Sequence, residues 1–407
     1  MTQKADAAIV TVGTELVTGE RLDTNTRDIA LALRAAGYRV RAAVSLADDE
    51  GAIASELERL VDLFPMVVVT GGLGPTHDDV TREAAARALG LPLERRPELE
   101  AALREAQARH TQADAARQVL RQADVIHGAT ILPAVRGTAP GQVIDTPAGR
   151  LVLLPGPPRE LAPMLRSVLL ADAIASQPVR LRATELSESD AQVLVTRALE
   201  RFRDVDFTVL ASPGEVEVLL FDDGAGEVRL AEAGRSATLA LGAHCYSCDG
   251  SSLAETIIRA AIARDARIGS AESCTGGMVA AALTAVPGAS AVMMGGIVAY
   301  ANGVKSDVLG VPHAVLDEHG AVSEQAAEFM VVGAAARLGL THGVAVTGIA
   351  GPDGATPYKP VGLAWFAVFA DGDVHAEARM FAGDRDTVRL RATATALDLL
   401  RRALEGG

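Results

Sequence analysis

Ser273, in the run Ala271-Glu272-Ser273-Cys274-Thr275-Gly276-Gly277, and Lys305, in the run Tyr300-Ala301-Asn302-Gly303-Val304-Lys305, are residue types that can do chemistry together. A serine hydroxyl is a poor nucleophile at neutral pH, so an amidase that uses one must hold a base within hydrogen-bond reach. Lysine serves as that base when burial and neighbours lower its pKa. The pair therefore points to a serine amidohydrolase. The apolar run Ile268 to Ala271 predicts a short buried strand, and Thr275-Gly276-Gly277 opens a segment, 278–283, of helical character. Ser273 then sits at a strand-to-helix turn, where backbone N–H groups around Thr275 to Gly277 converge on one point and suit an oxyanion or a phosphate. A plainer reading stands beside it, in which Ser273 and Thr275 only cap the next helix.

Further along, 344–347 predicts another strand, followed by Gly348-Ile349-Ala350-Gly351-Pro352-Asp353-Gly354, whose glycines let backbone approach a ligand closely. Lys359-Pro360-Val361-Gly362 leads into the apolar run Leu363 to Phe369, and Gly383-Asp384-Arg385 follows. With these motifs, the segment from about 252 to 404 resembles the CinA C-terminal family, the nicotinamide-mononucleotide amidohydrolases. The resemblance implies Ser273 as nucleophile, Lys305 as general base and Tyr300 as an assisting hydroxyl. It also implies substrate contacts from Thr275, Gly276, Gly277, Thr347, Gly348, Ala350, Gly351 and Arg385, with Arg385 a candidate phosphate ligand. The implied reaction hydrolyses the carboxamide of nicotinamide mononucleotide to nicotinic acid mononucleotide and ammonia, with no cofactor.

The elements that must carry this chemistry belong to a chain of 407 residues, longer than one core usually supports, so two or three domains are expected. The net charge of −14 argues against a general nucleic-acid-binding surface, because neutralising phosphates takes clustered Lys and Arg. No run of 18 uninterrupted apolar residues predicts a membrane-spanning helix, and Met1 to Asp6 lacks the apolar stretch of a leader. Cys245, Cys248 and Cys274 are few and odd in number, which fits a reducing cytoplasm. Cys245 and Cys248 form a C-x-x-C without a second ligand pair, and coincidence accounts for it.

The first third alternates strand and helix signals, as an open parallel sheet does. Strands are expected at 7–12, 38–44 and 66–69, with helices at 26–36 and 80–89, and Asp48 is expected to cap a helix whose core residues are Ile53, Leu57, Leu60, Val61 and Phe64. The glycine-rich loop Thr70-Gly71-Gly72-Leu73-Gly74-Pro75-Thr76-His77-Asp78-Asp79 follows a strand's carboxyl end, where open α/β sheets place ligands. Asp78 and Asp79 invite a hard-metal site together with Asp48 and Glu15, while helix capping and dipole compensation compete for the same two aspartates.

Val12-Gly13-Thr14-Glu15-Leu16, Asn25, Asp48, the 70–79 loop, Gly137-Thr138-Ala139-Pro140-Gly141 and Leu154-Pro155-Gly156-Pro157-Pro158 together resemble the CinA N-terminal family, which shares a fold with the molybdopterin-binding MoaB and MogA proteins. That resemblance implies a nucleotide-binding or pterin-binding domain over about 5–170, contacting its ligand through Gly13, Glu15, Asn25, Asp48, Gly71, Gly72, Gly74, Pro155 and Gly156. It implies ADP-ribose hydrolysis with a divalent metal (Mg, Co or Mn) held by Asp78 and Asp79. His77 stands where the family usually has lysine, which weakens a cationic contact to phosphate.

From about 178 to 250 the pattern changes to a small α+β unit, with strands at 181–186, 207–210 and 215–221 and a helix over 188–203. Its position matches the KH-type middle domain of CinA proteins. It has no Gly-x-x-Gly clamp, and seven arginines face thirteen acidic residues, so it reads as a spacer or assembly element and not as an RNA reader. Ser252-Leu253-Ala254-Glu255 is a capping box that opens a last domain over 252–405. There, a helix over 323–338 is expected to bury Ala326, Phe329, Met330 and Leu338, and Arg389, Arg391, Arg401 and Arg402 are expected on the solvated face of the terminal helix.

The fold expectation is thus α/β: a MoaB/MogA-like open-sheet domain, a KH-type middle domain and an α/β amidohydrolase domain. The functional expectation is a cytoplasmic hydrolase of nicotinamide mononucleotide and ADP-ribose, homodimeric by family resemblance. The alternative is a molybdopterin-binding or assembly protein of competence and DNA-damage pathways whose N-terminal domain is non-catalytic.

Overall fold

The computed structural model describes residues 5–107, 119–134, 137–170, 178–222 and 224–406. Met1 to Lys4, read above for a leader, lie outside the described residues. The chain divides into two compact units, residues 1–177 and 178–407.

In the first unit, β1 (Asp6–Val12) leads into one unpredicted turn of helix, α1 (Thr14–Val17); from there α2 (Asn25–Ala35), β2 (Arg39–Leu46), α3 (Glu50–Leu63), β3 (Met66–Thr70) and α4 (Thr81–Leu89) alternate in the predicted order. After them come β4 (Leu93–Arg95), α5 (Pro97–Gln107), β5 (Asp124–Ile126), β6 (Thr130–Leu132), β7 (Gly141–Thr146), β8 (Gly149–Leu154) and α6 (Pro158–Leu170). The main sheet runs β2-β1-β3-β8-β7-β6, with the first four strands parallel, β7 antiparallel to β8 and β6 antiparallel to β7. Because side chains alternate along a strand, Ala8 and Val10 of β1 pack with Ile53, Leu57 and Leu60 of α3, while Ala7 and Ile9 pack with Ile29 and Leu33 of α2 and Leu161 of α6. A strand covered on both faces must be apolar throughout, which is why β3 reads Met-Val-Val-Val before Thr70. Each such Leu or Ile, fully buried, stabilises the fold by about 1.5–3 kcal/mol relative to exposure.

The helix assigned to an Asp48 cap is instead capped by Asp49, whose extended backbone turns its carboxylate onto the N–H of Ala52. Asp48 accepts from the N–H and hydroxyl of Thr14, tying the end of β2 to α1. Glu15, expected with Asp48 at a metal site, stands in that one-turn helix.

The second unit begins with β9 (Val179–Thr184), α7 (Glu188–Ala198), β10 (Val205–Ser212), β11 (Glu215–Asp222), α8 (Glu227–Leu241) and β12 (Cys245–Ser247). These form an antiparallel sheet in the order β10-β11-β9-β12, packed by α7 and α8 through Ala191, Val195, Leu230 and Ala233. The helix expected to reach residue 203 stops at Ala198, and Phe202 folds back into this core.

The same unit continues with α9 (Leu253–Ala263), β13 (Ile268–Glu272), α10 (Met278–Thr284), β14 (Met293–Val298), α11 (Asn302–Leu309), α12 (His313–His319), α13 (Glu324–Leu338), β15 (His342–Gly348), β16 (Leu363–Ala370), β17 (Asp373–Met380) and α14 (Arg385–Glu405). The sheet order is β14-β13-β15-β16-β17, with β14, β13 and β15 parallel. Helices α9, α10 and α14 cover one face and α11 to α13 the other. Ser252 and Glu255 form the predicted capping box. Phe329, expected in the core, is instead 40% exposed, because at about 100° per residue it points about 150° away from the middle of the buried stripe of Ala326, Ala327, Met330, Val331, Ala334 and Ala335. Arg401, expected on a solvated face, is 5% exposed and donates to the buried Asp398. Glu185 links the two sheets of this unit by accepting from Arg379 and Arg402.

Among the described residues no helix is long and apolar enough to cross a membrane.

Candidate active site

Ser273 is the residue after β13, and its N–H donates to Val346 of the neighbouring β15, so the central strand pair fixes its position. Lys305 rises from the first turn of α11, is 1% exposed, and brings Nζ to 3.2 Å from Ser273 Oγ. Nζ also donates to the carbonyls of Ala299 at 2.8 Å and Tyr300 at 3.1 Å. Burial lowers the pKa of this lysine, with the neighbouring Cys274 acting in the opposite sense. A neutral amine has two protons and one lone pair. In that neutral form the two carbonyls take the protons and the lone pair faces the serine hydroxyl; in the ammonium form the third proton is donated to Ser273 Oγ. Cys274 lines the same cavity, but burial pushes its thiol up to about 11, which disfavours the reactive thiolate.

Tyr300 holds Lys305 through its carbonyl, while its hydroxyl accepts from Arg385 Nη2 at 3.1 Å. The phenol expected to assist the dyad therefore pairs with a cation. Arg385 Nη1 donates to Gly351 at 2.6 Å, which ties the 348–354 loop to the first turn of α14. The cavity, of about 240 Å³, is lined by Ser273, Tyr300, Lys305, Thr347, Gly348, Ala350, Gly351 and Arg385. Gly354, the last glycine of the predicted ligand loop, also lines it, as do Asn302 and Asp353 from the quoted motifs; Ala321 and Val322 had carried no sequence signal.

Thr275, Gly276 and Gly277 stand apart from that lining. The N–H of Gly277 donates to the Glu272 carboxylate at 2.9 Å, the Thr275 hydroxyl to the same oxygen at 2.7 Å, and the N–H of Gly276 to the Ser273 carbonyl at 3.1 Å. The oxyanion or phosphate role expected of this turn fails at Gly276 and Gly277 because their donors are already taken. The capping alternative fails as well: Gly277, at φ +97, is the N-cap of α10, and the N–H groups of the helix are met by Glu272. Arg389, expected to be solvated, closes the back of the turn by donating to the carbonyls of Cys274 and Thr275.

In the first unit, a cavity of about 510 Å³ opens at the carboxyl ends of β1, β3 and β8. Gly13, Glu15, Asn25, Asp48, Gly71, Gly72, Gly74, Asp78, Asp79, Pro155 and Gly156 all line it. Gly71 has φ +100, and a Cβ there would lie 2.1 Å from the Val12 carbonyl, so only glycine lets β1 and the loop meet. Asn25 ties two of the converging loops, donating to the Gly156 carbonyl at 2.7 Å. Arg21, Asp23, Gln122 and Glu160 also line it, without having been singled out by sequence. Burial raises the pKa of Glu160.

Asp78 and Asp79 do not fit a metal site. Asp79 spends both oxygens on the loop, accepting from the N–H of Gly74 at 2.8 Å, the N–H of Thr76 at 2.8 Å and the Thr76 hydroxyl. Asp78 points to solvent beside His77. Among the described residues no group of three His, Cys, Asp or Glu is placed to hold a metal ion. Asp79 thus closes the glycine loop, and Val80, not either aspartate, is the N-cap of α4.

Fold and site together define a two-unit α/β protein with a buried serine–lysine pair in one sheet domain and a glycine-loop cavity in the other. The profile of the CinA C-terminal domain matches residues 250–404, and that of a probable molybdopterin binding domain matches residues 8–175. A CinA-like protein of Solibacter usitatus is 38% identical over 414 residues, spanning 98% of this chain and 99% of its own. A putative competence-damage inducible protein of Symbiobacterium thermophilum is 39% identical over 422 residues, spanning 98% and 99%. Among solved structures, the competence damage-inducible protein A of Klebsiella pneumoniae is 39% identical, covering 38% of this chain and 96% of its own, with a TM-score of 0.37. The chain belongs to the CinA-like protein family.

Proposed function

We propose that the C-terminal domain is a serine amidohydrolase that converts nicotinamide mononucleotide to nicotinic acid mononucleotide and ammonia. The observation that carries the reading is the 3.2 Å approach of the buried Lys305 amine to Ser273 Oγ, with two carbonyls orienting that amine. Neutral Lys305 takes the Ser273 proton as Oγ attacks the carboxamide carbon. The resulting ammonium returns a proton to the departing nitrogen, ammonia leaves, and an ester to Ser273 remains. Water, deprotonated by the same amine, then releases the acid and restores the serine. Arg385, beside the Tyr300 hydroxyl at the cavity wall, supplies the cation for a phosphate. The test is the conversion of nicotinamide mononucleotide by the full chain, with both products identified. Absence of conversion by folded protein rejects the substrate.

For the N-terminal domain the reading is a binding pocket for a nucleotide or pterin phosphate, supported by the size of its cavity and the converging glycine loop. Asp79, whose two oxygens are taken by the loop, favours the non-catalytic alternative over metal-dependent ADP-ribose hydrolysis. Thermal stabilisation by ADP-ribose compared with molybdopterin separates the two ligand classes, because a ligand that binds only the folded form raises its apparent stability.

A further inference from the structure

We infer that Glu272 is the positioning residue that holds both members of the serine–lysine pair in register; this rests on the amidohydrolase reading above. Glu272 is 1% exposed, and five donors converge on its carboxylate. Oε2 accepts from the Thr275 hydroxyl at 2.7 Å, the N–H of Gly277 at 2.9 Å and the N–H of Val279 at 3.1 Å. Oε1 accepts from the Ser270 hydroxyl and the N–H of Ala280, each at 2.9 Å. One carboxylate thus anchors the strand before Ser273, the turn after it and the first turn of α10.

Its main chain reaches the other half of the pair. The Glu272 carbonyl accepts the N–H of Ala299 at 2.8 Å, and the Ala299 carbonyl is the closest acceptor of Lys305 Nζ, also at 2.8 Å. Ser273 is therefore fixed by covalent adjacency and Lys305 through one intervening peptide. Glu272 does not line the cavity, so it acts on the nucleophile and not on the substrate. An ionised carboxylate suits the position because it only accepts, and every neighbour here donates. Glutamine has the same shape but turns an NH₂ group toward donors, so at least two of them lose their acceptor.

The experiment uses the full chain and two readouts. The first is kcat and KM for ammonia release from nicotinamide mononucleotide. The second is the rate at which an alkyl fluorophosphonate labels Ser273, followed by peptide mass spectrometry. In that labelling the Oγ–P bond forms, fluoride leaves and Lys305 takes the proton, so it reports the pair whatever the natural substrate is. For Glu272→Gln the expected result is a fall of at least about tenfold in both kcat and labelling rate, with KM within about twofold and the pH midpoint unchanged. Thr275→Val and Ser270→Ala each remove one donor and leave the charge; each is expected to slow labelling about two- to fivefold, and they decide the matter if Glu272→Gln fails to fold. Labelling of all three variants at the wild-type rate overturns the inference, as does a loss confined to KM. If wild type labels at Ser273 yet releases no ammonia, the substrate reading has failed, and the labelling ratios still decide the role of Glu272.

Discussion

The hydroxyl of Tyr300 meets the guanidinium of Arg385 at 3.1 Å, while the carbonyl of the same tyrosine holds the Lys305 amine at 3.1 Å. One residue thus serves the base through its backbone and the cationic wall of the cavity through its side chain. Tyr300→Phe keeps the first contact and loses the second. It is predicted to raise KM for nicotinamide mononucleotide about three- to tenfold while changing kcat less than about threefold, because the net loss of one partly exposed hydrogen bond costs roughly 0.7–1.4 kcal/mol. Steady-state kinetics checks this; a loss mainly in kcat would restore the phenol to the proton transfer.

Lys305→Met removes the base and leaves two buried carbonyls without a donor. Turnover is predicted to fall by about 10³-fold or more, since a nucleophile and its base act as a unit. In the wild type the lysine works as the neutral amine, so kcat/KM should rise with pH through its lowered pKa and level off below 10.5, the ordinary lysine value. Stability follows the same sign. Between the folded and unfolded pKa the unfolded chain binds more protons, so stability rises with pH across that window. Below the window the cost of burying the charge is fully present. A pH series of rates together with denaturant midpoints reads both.

Asp79→Ala deprives the N–H groups of Gly74 and Thr76 of their acceptor. We predict a cost of about 1–3 kcal/mol in stability and loss of thermal stabilisation by ADP-ribose. In the wild type that stabilisation should be the same with and without a chelator. A chelator-sensitive response would return Asp78 and Asp79 to metal binding.

Asp398 is 1% exposed and accepts from Arg401 and Arg402 on the same helix. Asp398→Ala leaves Arg401 buried with a single carboxylate, Glu405, as partner. Breaking such a pair costs about 3–5 kcal/mol, so the unfolding midpoint should drop clearly, while KM measured below that midpoint stays unchanged.

The pairing of Ser273 with Lys305 was legible in the chain, because residue type alone suggests it. A serine at a strand end and a lysine on the next crossover are informative without coordinates, and the glycine loop after Thr70 announced the N-terminal cavity. Roles that depend on which lone pair meets which donor were not legible. Glu272 stood in the quoted motif, yet only the geometry of α10 shows it replacing the helix cap. Asp48 and Asp49 are adjacent, and one backbone conformation decided which became the cap. Arg401 looked solvated because its partner, Asp398, is recognisable as buried only once the helix docks. Helix α8 went unread because much of its core face is Ala233, Gly234 and Ala237, too weak a hydrophobic signal to mark a helix.

The most direct test of the serine–lysine account is ammonia release from nicotinamide mononucleotide by wild type and Ser273→Ala in parallel. The account predicts steady release by wild type and less than about a hundredth of that rate from the variant. A folded Ser273→Ala that keeps a tenth or more of the wild-type rate would contradict it, because no covalent attack by that hydroxyl could then be the route.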